Sequence, residues 1–177
     1  MKDLCYHAYL VACFVLGQDM GSRSQMEFLE KMYNHEYEYL PPRYKQDKKL
    51  FVSDVLMFTD YLIDKDKIDA EFPAIERDFQ YVGKYLEKED LLSDYSEMDM
   101  FFMLLRLRIL FANKTGYARM KLRTLLKHYG YKRRSSQINE RIRDCLLFYH
   151  IQTFLRDGEE CDIREIDIDD MITFRIL

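Results

Sequence analysis

Residues 121–150 read KLRTLLKHYGYKRRSSQINERIRDCLLFYH and run on into IQTFLRDGEECDIRE at 151–165. Leu122, Leu125, Leu126 and Tyr129 recur at helical spacing, and Gly130 suits the left-handed residue that closes a helix. A tight turn, YKRR, leads to Ser135 or Ser136, either of which can cap a second helix. In that helix Ile138, Ile142, Cys145 and Tyr149 form one apolar stripe. The opposite side carries Arg133, Ser136, Glu140 and Arg143, with Gln137 and Asp144 at its edge. Asp157-Gly158 then signals a two-residue hairpin, which would pair Phe154 with Cys161 and Arg156 with Glu159.

Just upstream, KTGYARM reads as a short extended piece, and before it stands MDMFFMLLRLRILFAN, introduced by Ser96 and Asp99 as a cap. That helix is apolar almost all round, which is the pattern of a buried one. Its two arginines, Arg106 and Arg108, project about 200° apart and cannot share a surface. At least one is expected to pair with an acid of the N-terminal half.

The remaining N-terminal sequence reads as four amphipathic helices. Leu4, Ala8, Val11 and Val15 stripe the first, and Asp3 and His7 argue against a signal peptide or membrane anchor. Ser22 or Ser24 can cap the second, Ser24 with Glu27 fitting a capping box, and its stripe is Met26, Leu29, Tyr33, Tyr37 and Leu40, stopped by Pro41-Pro42. Phe51, Val55, Phe58 and Leu62 mark a third helix over about 47–63. Pro73 opens a fourth with Ile75, Phe79, Val82 and Leu86. The fold class expected is mainly α: an acidic amphipathic bundle over 1–95, packed on a C-terminal unit over 96–177 with a small β-hairpin, the two sharing the buried helix of 96–113.

Charge is segregated along this plan. Residues 1–100 hold 12 Lys+Arg against 21 acids, 101–143 hold 12 against the single Glu140, and 144–177 hold three Arg against nine acids. A net +11 inside a chain of net −4 points to a phosphate-binding face, or to neutralisation by the acidic N-terminal half.

Helix, short strand, helix, turn, helix, hairpin is the order that resembles the winged helix-turn-helix superfamily, over residues 96–177. The resemblance implies double-stranded DNA as partner, with the second helix of the motif in the major groove. Carried onto this chain, Ser136, Gln137, Glu140 and Arg143 are the base-edge candidates, Gln suiting adenine and Arg guanine. Lys121, Arg123, Lys127, Lys132, Arg133 and Arg134 are the phosphate candidates, aided by the helix N-terminus. The expected function is a sequence-specific DNA-binding protein, either a transcriptional regulator or a replication or maintenance factor. Wings that touch DNA tend to be basic, whereas RDGEECD is acidic. The alternative is therefore a protein-interaction module, such as an inhibitor or adaptor of a nucleic-acid enzyme, gripping through Glu159 and Glu160 or the N-terminal bundle. A homodimer fits either reading.

Catalytic and metal signatures are not found. Cys5, Cys13, Cys145 and Cys161 lie without CxxC spacing, which suggests reduced, buried thiols in a cytoplasmic protein. His7, His35, His128 and His150 lack partners at metal spacing. There is no P-loop, dinucleotide glycine pattern or GxSxG, so no enzyme, cofactor or membrane partner is expected.

Overall fold

A computed structural model describes residues 5–68, 97–128 and 134–177. Among the described residues the chain is mainly helical with one small three-stranded antiparallel sheet, as the periodicity and turn signals indicate. It divides into two compact units, Met1–Ser96 and Glu97–Leu177. The expected fourth helix, from Pro73 onward, lies outside the described residues, as does Ser96.

In the first unit α1 (Ala8–Gly17) is buried on every side from Ala8 to Val15, rather than along one stripe, as a helix of uniformly apolar composition must be. The helix α2 (Ser22–His35) begins earlier than either a Ser22 or a Ser24 cap would place it. Its N-cap is Gly21, whose carbonyl accepts from the Gln25 N–H, while Glu27 pairs with Arg23 in solvent. Leu29 and Tyr33 are buried as expected, but the buried face also takes Phe28 and Met32, leaving Met26 exposed. The helix ends at His35, ahead of the prolines. Glu36 there is wholly buried, and its carboxylate accepts from the Tyr6 hydroxyl at 2.9 Å, with His35 Nδ1 2.7 Å away. Pro41 and Pro42 open α3 (Pro42–Gln46), where the missing N–H costs nothing. The Asp47 carboxylate caps α4 (Lys48–Met57) through the N–H groups of Lys49 and Leu50. A π-turn at Phe58–Leu62 follows it. Phe51, Val55, Phe58 and Leu62 are all buried, as their spacing foretells.

His7 caps α1 with its imidazole: Nδ1 accepts from the Tyr9 N–H at 3.1 Å. That contact requires a neutral ring. Burial, and then the nearby Arg43 guanidinium, hold the His7 pKa down at about 4, against a smaller opposing pull from Asp54. The unfolded chain therefore binds this proton more readily than the folded one. The His7 contribution is complete above pH 6.5 and is lost as pH falls toward 4, by roughly 2–3 kcal/mol. Urea titrations across this window should show a steeper acid loss for the native chain than for His7→Asn, which keeps a capping acceptor without a titrating ring. Parallel curves for the two proteins would remove His7 from the acid response.

In the second unit α5 (Glu97–Leu107) continues through a π-turn at Arg108–Ala112. Met98 to Leu105 and Leu107 are buried. Asp99 is not a surface cap. It is fully buried and receives the Arg141 guanidinium and the Cys145 thiol, the latter at 3.1 Å. Arg106 is buried too, and donates to the Tyr149 carbonyl at 2.6 Å. After a turn at Gly116 comes β1 (Tyr117–Lys121), then α6 (Leu122–His128) with Leu122, Leu125 and Leu126 inward. Residues 129–133, including the expected Gly130 terminus, lie outside the described residues. Ser135 caps α7 (Ser136–Phe148), its hydroxyl accepting from the Ile138 N–H at 3.2 Å. Ile142, Cys145 and Tyr149 are fully buried and Ile138 partly so.

The sheet departs from expectation in an instructive way. β2 (Ile151–Phe154) finds its main partner in β3 (Met171–Ile176), which inserts between β1 and β2 to give the order β1-β3-β2. The C-terminal segment Met171–Ile176 is therefore the central strand. The local hairpin after β2 is reduced to a bridge between Phe154 and Glu160, one residue out of the expected register. Asp157-Gly158 does not form the two central residues of the turn. Instead the Gly158 N–H closes a turn onto the Leu155 carbonyl, Gly158 takes φ of 91°, and the Leu155 N–H donates to Glu159. A left-handed glycine placed after the turn adds one residue to the loop and so shifts the pairing by one.

Candidate nucleic-acid interface

The described residues expected to touch DNA sit at the end of β1, on α6, just before α7 and along α7. Lys121 is exposed at the end of β1, and Lys127 is exposed on the outer side of α6. Ser136 and Gln137 are exposed in the first turn of α7, where the backbone N–H groups and the helix dipole favour an anion. All four are accessible. Lys132 and Arg133 lie outside the described residues.

The other candidates are engaged within the unit. The Arg123 guanidinium forks onto Asp169 with both N···O distances at 2.6 Å, while its backbone N–H donates to Ile168. Each partner favours the charged form of the other: the Asp169 carboxyl is held below its usual range and the Arg123 guanidinium above, chiefly by these hydrogen bonds. Arg134 donates to the Ile166 carbonyl at 2.6 Å and to that of Ile163 at 3.2 Å, clamping the connection that leads to β3. Glu140 stands 3.7 Å from Arg143 and 3.8 Å from Arg164, and Arg164 also grips Asp162. Arg143 is half-buried beside Leu146 and Leu147. It borders a groove of about 520 Å³ between α7, β2 and the segment 160–165.

Neutralisation of the basic segment therefore does occur in part, through the C-terminal acids. Two of the four described phosphate candidates, Arg123 and Arg134, spend their donors on the 163–169 connection. The resemblance implies these cations as phosphate contacts, but the sequence could not show that the acidic connection returns across them. Sequence reading also passed over the outward face of the sheet, with Tyr117, Arg119 and Arg175. The alternation in YARMK and MITFRI is the signal that marks it.

Among the described residues no group of His, Cys, Asp and Glu could hold a metal ion, and no helix is long and apolar enough to cross a membrane. Comparison with known protein families, with curated proteins and with solved structures finds no match to this chain.

Proposed function

We propose that residues 97–177 act as a winged helix-turn-helix that binds double-stranded DNA through the first turn of α7 and the exposed side of α6. The observation that supports this reading is the strand order β1-β3-β2 in a unit that also holds the consecutive helices α6 and α7, with Ser136 and Gln137 exposed at a capped helix N-terminus. Exposed Lys121 and Lys127 serve as phosphate contacts, and Gln137 reads a base edge. Arg134 acts as a clamp on the wing rather than as a direct contact, so its replacement would confuse folding with binding.

The test is fluorescence anisotropy of the full chain with random-sequence duplex DNA over a range of salt. Micromolar or tighter binding that weakens steeply with salt is expected. Lys127→Glu should lower affinity on every sequence and reduce the salt slope by about one. Gln137→Ala should relax sequence preference and leave the slope alone. Failure to bind at low salt, or an unchanged Lys127→Glu variant, removes this surface from the account.

A second reading is favoured by the acidic connection 157–170, whose contacts to α6 and α7 offset part of their charge. On that reading the fold serves as an adaptor or inhibitor, presenting Glu159 and Glu160 to a cationic partner. Charge reversal at both positions should then abolish a demonstrated association while duplex binding is absent throughout.

A further inference from the structure

The outer face of the sheet is built unlike the rest of the unit. Ile172 and Phe174 point inward from β3, so the alternate positions of all three strands form the opposite face. Of the eight outward positions, three are cations (Arg119, Lys121, Arg175), two are aromatic (Tyr117, Phe154), and none is acidic. In a chain of net charge −4 that composition is a local inversion.

The side chains form an alternating row across the strands. The Arg119 guanidinium lies 4.7 Å from the Tyr117 ring centroid, and Arg175 lies 6.0 Å from the same ring and 5.1 Å from that of Phe154. Arg119 Nε donates to Thr173 Oγ1 at 3.1 Å, which fixes its plane on the sheet. Arg119 and Arg175 are exposed, and neither forms an ion pair among the described residues.

From this row we infer that the outer sheet face, centred on Arg119, Tyr117, Arg175 and Phe154, binds single-stranded nucleic acid. Phosphates complement the cations, and unpaired bases stack on the rings and on the guanidinium planes. A duplex keeps the faces of its bases stacked on one another, so the aromatic half of this surface would have nothing to recognise. An acidic peptide satisfies the cations and leaves the rings unused. Beyond Lys121 the sheet is bordered by Asp157, Asp169 and Asp170, which repel phosphate and confine the strand to the Tyr117–Arg175 end. The central residues of this surface, Arg119, Tyr117, Arg175 and Phe154, are none of the duplex candidates, which share only Lys121 with the sheet face, and the inference does not rest on duplex binding.

The full chain is titrated with labelled oligo(dT), with polyglutamate as competitor. Tyr117→Leu should weaken oligo(dT) binding about tenfold, the loss expected for one stacked base. Arg119→Gln with Arg175→Gln should lower both affinity and salt slope, by about one to two in the slope. Lys127→Glu should leave the oligo(dT) affinity unchanged, which separates this face from the α7 surface. The chain has no Trp, so Phe154→Trp installs a single reporter whose emission oligo(dT) should quench at saturation. This reporter also decides the matter if Tyr117→Leu unfolds. Absence of quenching overturns the inference. So does an oligo(dT) affinity that is indifferent to Tyr117, equal to that of polyglutamate, or absent at low salt.

Discussion

Phe174→Ala is expected to destabilise the second unit by about 3–5 kcal/mol, the cost of a large core cavity in a place that cannot collapse. Phe174 is fully buried on β3, opposite Ala118 on one side and Thr153 on the other, with its ring edge-on to Phe102 at 6.4 Å. Strands on both flanks hold the backbone in register, so neighbouring side chains cannot move in to fill the space. The conservative change Phe174→Leu keeps most of the volume and should cost clearly less. Urea denaturation at neutral pH reads both: the midpoint of the alanine variant should fall sharply with little change in slope. A loss near 1 kcal/mol would mean that β3 can leave the sheet without disturbing the core, and the strand order would then need another explanation.

The second large effect is expected at Arg141, whose replacement by Met should cost about 3 kcal/mol although its side chain is 46% exposed. The cost sits on its partner. Asp99 is wholly buried on α5 and is held by the Arg141 guanidinium and the Cys145 thiol, both from α7. Removing the arginine strands a buried carboxylate, which is worse than removing the pair. The double variant Asp99→Asn/Arg141→Met should therefore regain a large part of the loss, because an amide needs no counter-ion. Additive effects in this cycle would show that the two groups do not act as a pair. Cys145 belongs to the same structure: burial, reinforced by the Asp99 charge, raises its pKa far above the usual thiol range, so it serves as a donor and not as a nucleophile.

These two positions show how differently the chain discloses its parts. Phe174 is apolar and shares parity with Ile172 in the sequence, yet nothing local says whether its segment is a strand. Asp99 read as a helix cap because the residues around it suit a cap. Only the approach of α7 makes it a buried anchor. Tyr149, Ile142 and Cys145 were placed inward by helical spacing alone, and they are inward. Of the surface candidates, Lys121, Lys127, Ser136 and Gln137 are exposed, and Arg123 and Arg134 are exposed as well but give their guanidinium donors to Asp169 and to the Ile163 and Ile166 carbonyls.

The division follows from the range of the forces. Periodicity, caps and turn residues act over a few positions, so helix content, the short strand at 117–121, the Ser135 cap and the basic and acidic blocks could be read along the chain. Pairing at long separation could not. Nothing within the residues near 171–176 names β1, some 50 positions earlier, as a partner, and one left-handed glycine at position 158 is enough to move a register. The same holds for charge. Composition assigned a positive segment and a negative one, but which guanidinium meets which carboxylate depends on the path of the 155–170 connection across α6 and α7. Tertiary folding set that path, and with it the choice of which cations remain open to a ligand.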